Sequence, residues 1–169
     1  MANASQHRYN EALINWEQLK QCGLSRDYLE RRGLLDGMLK GYKTNELVPV
    51  RLNFGSAALV TDARLSFRQT PDGVALMMHG MRKEPALNNP FHGYIFSDED
   101  KKNLKETGNM GRVAMVAPQG SDEKIPYIIS IDRLTNELVG CSAEKAYISD
   151  VYSGVKLSDY EKEQLREGK

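Results

Sequence analysis

The chain has 169 residues, of which 40% are hydrophobic and 27% charged, values typical of a soluble globular protein with one domain, or one domain and a small appendage. The 23 basic residues balance the 23 acidic ones, so the composition excludes a net field that would attract nucleic acid or an anionic membrane. The N-terminus lacks the pattern of a signal peptide and no apolar run is long enough to cross a bilayer, so we expect a cytoplasmic protein with no membrane partner.

Residues 1–43 are predicted to form a helical N-terminal segment. Asn15 and Ser25 are typical first residues of a helix, and Gly23 and Gly33 are typical of the stop that follows. A weaker third helical turn comes next. Three short helices occur both as plain packing units and as helix-turn-helix motifs that bind DNA, and both interpretations stay open.

Residues 44–151 are predicted to form a β-rich body that also contains a helix. From Val48 onward, apolar and polar residues alternate with the period of a strand. Three such stretches, "VPVRLNF", "AALVTDARLSFRQ" and "VALMMHGMR", are separated by turn residues in "FGS" and "TPDG". The pattern predicts a three-stranded antiparallel meander with one apolar and one polar face.

A capped helix and a second group of strands are predicted after the meander. Ser97 and Asp100 have the spacing of a capping box, the first turn is acidic, and Gly108 is placed to end the helix. "RVAMVAP" and "IPYIISI" then predict a hairpin, and "DRLTNELVGCSA" predicts a further turn and strand.

No residue pattern predicts catalysis, a metal or a cofactor. Cys22 and Cys141 lie far apart, and the three histidines lack the spacing of zinc ligands. The glycine-rich "GNMGR" at 108–112 follows the end of a helix, where backbone carbonyls rather than N–H groups are free, so we interpret it as a helix stop rather than a phosphate site. We therefore expect a protein that is not an enzyme.

A second segment near the C-terminus is similar to the capped helix. Residues 96–108 are "FSDEDKKNLKETG" and residues 157–169 are "LSDYEKEQLREGK". An offset of 61 also aligns Gly93 with Gly154, together with an aromatic residue two positions before each glycine. Helix capping explains the shared serine and acidic residues but not the upstream glycine and aromatic residue, so we predict a structural repeat.

The repeat leads to a prediction about the natural polypeptide. In the first copy the helix continues directly into a hairpin, whereas Lys169 stands where the second hairpin is expected to begin. We therefore expect that the natural chain continues, and that residues 152–169 are the start of a further, truncated repeat unit.

Long phrases of the sequence resemble a known family. "VTDARLSFRQTPDGVALMMHGMRKEP", "GYIFSDEDKKNLKETGNMGR" and "IDRLTNELVGCSAEKAYI" resemble an uncharacterised domain family of Bacteroidota, found in proteins carried by conjugative transposons, often encoded near a type IA topoisomerase. In that family a domain like residues 15–151 precedes tandem "GVKLSDEEK"-type units, which "SGVKLSDYEKEQLREGK" at 153–169 resembles. The resemblance implies a mobile genetic element and a parent protein of several units, and it carries no known activity, cofactor or catalytic residue.

Basic residues on the polar face of the meander form a candidate binding surface. They are Arg51, Arg64, Arg68, Arg82 and Lys83, with the last two expected at the end of the third strand. Three interpretations stay open: a solvated face with pairs such as Arg64–Asp62, a contact for an acidic protein partner, and a nucleic-acid-binding surface.

The sequence thus predicts an α+β fold with three parts: a helical segment (1–43), a β-rich body (44–151) and the start of a further repeat unit (152–169). We favour a non-enzymatic interaction or scaffold module of a mobile-element protein, with a protein as its partner. The alternative is a nucleic-acid-binding module that uses the basic sheet face or the N-terminal helices. The sequence predicts no particular oligomeric state.

Overall fold

The computed structural model describes residues 6–169, which form two compact units that divide between Met81 and Arg82. The fold is α+β, as predicted. The first unit contains a 3-10 helix (Glu11–Leu13), α1 (Trp16–Gln21), α2 (Arg26–Arg31), α3 (Leu35–Leu39), β1 (Val48–Phe54), β2 (Ala57–Thr70) and β3 (Gly73–Gly80). The second contains α4 (Asp98–Thr107), β4 (Asn109–Val116), β5 (Ile125–Asp132), β6 (Glu137–Ser142), β7 (Val151–Tyr152), β8 (Val155–Lys156) and α5 (Asp159–Arg166). The three-part division expected from the sequence stays a prediction.

The N-terminal helices begin and end where the sequence predicts. Asn15 Oδ1 accepts a hydrogen bond of 3.1 Å from the Gln18 backbone N–H, and Ser25 Oγ accepts one of 3.1 Å from that of Tyr28. Gly23 follows α1 with φ +79°, a left-handed conformation that glycine adopts without steric penalty. These short helices owe most of their stability to tertiary packing, because helices of six residues are marginal in water.

The meander has the predicted strand order and forms one core with these helices. β2 pairs antiparallel with β1 on one side and with β3 on the other. Its alternate residues point to the helices, where they are buried with leucines of α1, α2 and α3. This cluster includes Leu19, Leu24, Leu29, Met38, Leu39, Val48, Val50, Leu65, Phe67 and Val74.

The second unit packs α4 against the antiparallel sheet β4–β5–β6. Its core includes Phe96, Leu104, Met110, Val116 and Ile129. Gly108 ends α4 in the left-handed conformation, with φ +80°, and β4 begins at the next residue. The interpretation of "GNMGR" as a helix stop followed by a strand is therefore confirmed.

Two details of the sequence interpretation are wrong. β3 ends at Gly80, so Arg82 and Lys83 do not lie at its end but in the non-strand segment that opens the second unit. There the Arg82 backbone N–H donates to the Thr135 carbonyl at 2.8 Å, which draws the chain toward the β5–β6 turn. The short strands β7 and β8 were also missed, because two-residue strands are too short to show a period.

Candidate interaction surface of the first unit

The first candidate surface is the part of the meander in which β1 and β2 pair only with each other. β2 is 14 residues long, and β3 pairs with it from Ala63 onward. Residues 57–62 of β2 pair with 49–54 of β1, and among the described residues no strand pairs with their other side. We call residues 49–62 the β1–β2 ribbon, and the unpaired side of residues 57–62 the open edge of β2.

The backbone hydrogen bonds show which groups point outward at the open edge. The Arg51 N–H donates to the Cys22 carbonyl at 2.9 Å, so the backbone N–H and C=O of Arg51 are directed away from β2. Val60 lies opposite Arg51, and its backbone groups are therefore directed away from β1. The backbone groups of Leu65 are directed to the β1 side of β2, because the Leu65 carbonyl accepts from the Thr44 N–H at 2.8 Å. By the two-residue period, Ala58, Val60 and Asp62 direct their backbone N–H and C=O groups to the open edge.

Three large apolar side chains of the ribbon are exposed. Phe54 is 64% exposed, Leu59 is 52% exposed and Val60 is 68% exposed. Phe54 and Leu59 lie on the same face of the sheet as the buried Val50 and Leu65. They are exposed because they extend beyond the part of this face that the helices cover. Exposed apolar groups beside a free sheet edge are typical of a protein-binding surface.

The polar face of the meander brings together only part of the predicted basic set. Arg51, Arg64 and Arg68 share this face, since Arg51 lies opposite Val60 and all three are in one register. Arg51 and Arg68 are exposed and form no ion pair with a described residue. Arg51 lies opposite Val60 of β2, eight residues before Arg68. At about 3.3 Å per residue, the two arginines are therefore about 26 Å apart along the strand direction.

Arg64, between them, has a different environment. It is half-buried, and its Nε donates to the Thr44 carbonyl at 2.6 Å. Its Nε thus turns toward the loop before β1, and the pair with Asp62 stays a prediction. On the neighbouring strand, His79 Nε2 lies 2.9 Å from Ser66 Oγ. The binding of nucleic acid by this face stays a prediction.

Two arginines at the ends of α2, Arg26 and the following Arg32, are paired with carboxylates, whereas Arg31 Nε donates to the Asp27 backbone carbonyl at 3.3 Å. Arg26 forms ion pairs with Glu11 and Glu30, and Arg32 forms one with Glu46. Hydrogen bonds from these guanidinium groups to the carboxylates raise the pKa of both arginines. The predicted helix-turn-helix alternative therefore lacks an unpaired cationic face at Arg26 and Arg32.

Asp100 is the centre of a buried charged cluster in the second unit. The Asp100 side chain is buried, and its carboxylate accepts hydrogen bonds from the Ser97 N–H, the Tyr94 hydroxyl and the Arg112 guanidinium. Burial acts to raise the pKa of Asp100, but the hydrogen bonds and the Arg112 charge outweigh it and the pKa lies below its ordinary value. Because every partner is a residue of the same unit, this cluster is a structural link between α4 and β4.

Within residues 6–169, no three residues among His, Cys, Asp and Glu are grouped closely enough to hold a metal ion. Within the same range, every buried side-chain nitrogen and oxygen has a hydrogen-bond partner. None of the described helices is long and apolar enough to span a membrane.

Residues 9–90 match the family model "Protein of unknown function (DUF4099)". No curated protein and no solved structure matches the chain. We call residues 9–90 the DUF4099 region. It contains every helix and strand of the first unit, and hence the β1–β2 ribbon and the polar face. The resemblance found in the sequence is thus supported in its coarser form, as a domain of unknown function.

The exposed apolar residues of the DUF4099 region were not predicted as a binding surface. A signal was present, because "AALV" at 57–60 is apolar on both faces of the strand, whereas the following residues alternate. Such a run is typical of a strand buried on both sides, and here it lies in an exposed ribbon.

Proposed function

We propose that the DUF4099 region is a non-enzymatic interaction module, which binds an extended segment of a partner protein along the open edge of β2. The open edge carries this proposal. Ala58, Val60 and Asp62 direct three N–H and three C=O groups outward, the pattern that an added antiparallel strand satisfies.

The side chains beside the edge support a protein as the partner. Phe54, Leu59 and Val60 offer apolar surface, so a bound strand gains affinity from its backbone and specificity from alternate apolar side chains. An unprotected apolar edge promotes aggregation, and proteins usually cover it. The sequence resemblance supports a mobile-element protein as the setting, and we propose a cytoplasmic location for it.

The test is selection from a phage-displayed library of ten-residue peptides against the full chain and two variants. Val60→Pro removes the outward N–H and adds a ring at the edge, whereas Val60→Thr keeps the N–H and is the matched control. We expect enriched peptides with apolar residues at alternate positions, which bind the wild type and Val60→Thr with similar affinity and Val60→Pro at least tenfold more weakly.

Two results contradict the proposal. One is a selection without enrichment, and the other is a set of peptides that bind Val60→Pro as tightly as the wild type. Concentration-dependent dimerisation in sedimentation, abolished by Val60→Pro, also contradicts it, because the edge is then covered by a second copy of the chain.

Nucleic-acid binding is the second candidate, favoured by the exposure of Arg51 and Arg68. Two charges about 26 Å apart are few for a phosphate backbone, because affinity grows with the number of phosphates neutralised. The test is fluorescence anisotropy with single- and double-stranded 30-mer DNA at low and high salt. Salt-dependent binding by the wild type, lost in Arg51→Glu/Arg68→Glu with unchanged melting, supports this candidate, and no binding at low salt excludes it.

A further inference from the structure

The two similar segments of the second unit have the same local structure. Phe91 and Tyr94 exchange backbone hydrogen bonds of 2.9 Å across a two-residue turn, and Tyr152 and Val155 pair in the same way across β7 and β8. The turn residues all have positive φ, as a type I′ turn requires: His92 (48°), Gly93 (77°), Ser153 (48°) and Gly154 (82°).

The helices that follow these turns begin with the same capping box. Ser97 Oγ accepts from the Asp100 N–H at 3.2 Å, and Ser158 Oγ accepts from the Glu161 N–H at 3.2 Å. In both cases the acidic side chain accepts from the serine N–H in return. At the offset of 61, Leu104 of α4 therefore corresponds to Leu165 of α5.

The apolar faces of the two copies have different environments. Leu104 is fully buried, whereas Leu165 is 41% exposed. Tyr152 and Val155 are also exposed, and an open groove of about 540 Å³ is lined by Tyr152, Leu157, Glu161, Gln164, Leu165 and Lys169. We call this groove the α5 face.

The first copy shows what covers such a face. Met110 and Val116 of β4 and Ile129 of β5 are buried in one cluster with Leu104. The same strand β4 carries Arg112, which binds Asp100. A β-hairpin with apolar side chains and an arginine in its first strand thus completes the first copy.

The second copy retains the acidic partner for such an arginine. Glu161 takes the place of Asp100, and its Oε2 accepts from the Ser158 N–H at 2.8 Å and from the Ser158 hydroxyl at 2.7 Å. Among residues 6–169, Glu161 Oε1 has no hydrogen-bond partner. An exposed carboxylate at the rim of an apolar groove favours a cationic side chain at this position.

We propose that the α5 face is a docking site for an apolar β-hairpin of a partner protein, whose first strand carries an arginine that binds Glu161. A helix of eight residues and a two-stranded hairpin are each marginal alone, so burying the α5 face stabilises the elements that form it. The site is separate from the open edge of β2, and all its residues lie in the second unit.

The test uses a fluorescein-labelled peptide of residues 109–132, which contains β4, Arg112 and β5, added to the full chain. We expect saturable binding in fluorescence anisotropy, at least tenfold weaker for Leu165→Lys. Leu134→Lys is the matched control, because Leu134 is also 41% exposed and lies in the β5–β6 turn. We expect Leu134→Lys to bind the peptide like the wild type. Val60→Pro, which alters the open edge of β2, is also expected to bind it like the wild type, and this result distinguishes the present proposal from the function proposed above.

The arginine is tested by a double-mutant cycle between Arg112→Ala in the peptide and Glu161→Gln in the protein. We expect each change to weaken binding several-fold and the two together to weaken it no further. Additive effects contradict the Glu161–arginine contact. Equal binding by Leu165→Lys and the wild type overturns the proposal, because the peptide then displaces β4 and β5 from α4. Absence of binding at 1 mM peptide also overturns it.

Discussion

Arg112 on β4 binds Asp100 on α4 through two parallel hydrogen bonds, from Nε to Oδ1 and from Nη2 to Oδ2, each 3.0 Å long. The same carboxylate accepts from the Ser97 N–H at 3.0 Å and from the Tyr94 hydroxyl at 2.8 Å. One side chain therefore caps the helix, holds the preceding turn and joins both to the sheet. Charge-assisted, bidentate contacts of this kind are among the stronger hydrogen bonds in proteins.

Asp100→Asn is expected to destabilise the second unit by about 2–3 kcal/mol at pH 7, because the amide cannot accept all of these hydrogen bonds and leaves buried donors unsatisfied. The loss is measured by urea unfolding. Glu161→Gln, at the exposed equivalent in α5, is the control, and we expect it to change the free energy of unfolding by less than about 1 kcal/mol. Equal effects of the two substitutions contradict a special role for Asp100.

The acid dependence of stability is expected to change in Asp100→Asn. The folded pKa of Asp100 is depressed, so its stabilising contribution is complete above the unfolded pKa of about 3.9 and disappears as the pH falls through the folded value. The wild-type melting temperature therefore declines more steeply below about pH 4 than that of Asp100→Asn. Parallel curves below that pH contradict the assignment.

Arg64→Ala and Arg68→Ala are expected to differ in stability although both residues lie on the polar face. Arg64 donates to the Thr44 carbonyl, and its loss is expected to destabilise the first unit by about 1–2 kcal/mol. Arg68 is exposed and forms no ion pair with residues 6–169, so its loss is expected to change stability by less than about 0.5 kcal/mol. The measurement is chemical denaturation followed by the fluorescence of Trp16, which packs on the first core.

Proline substitutions at neighbouring residues test the direction of the β2 backbone. Val60→Pro removes an N–H that is directed to the open edge and bonds no other described strand, so we expect the free energy of unfolding to fall by less than about 1 kcal/mol. Pro49 of β1 is a natural example of proline at such an outward position. Thr61→Pro removes an N–H bonded to β1 and is expected to destabilise by about 3 kcal/mol. Equal melting temperatures for the two variants contradict the assigned edge.

Alanine at two glycines is expected to have opposite effects. Gly73 has φ +140°, and a Cβ there lies 2.7 Å from the Leu13 carbonyl oxygen, so Gly73→Ala is expected to destabilise by about 2 kcal/mol or more. Gly37 lies inside α3 with open space around it, and Gly37→Ala is expected to stabilise by about 0.5–1 kcal/mol. Thermal unfolding of both variants gives the comparison, and a stabilised Gly73→Ala contradicts the close approach of Leu13 to β3.

Much of the fold is predictable from neighbours in the sequence. Ser97 and Asp100 form their capping box within one helical turn, and the turn at "TPDG" joins β2 to β3 as predicted. The candidate surface was less predictable. The sequence indicates Arg64 on the correct face, but its partner Thr44 lies 20 residues earlier in a loop without a strand period.

The sequence by itself determined the order of the helices and the longer strands, the helix ends, the polar face of the meander and the similarity of residues 91–108 to 152–169, because these depend on side-chain chemistry within a few residues. Only the tertiary structure decided that β2 extends past β3, that Arg112 binds Asp100, and that Leu104 is buried while Leu165 is exposed. Exposure and pairing depend on which distant element packs on a residue, and the same local pattern is compatible with a covered face and an uncovered one.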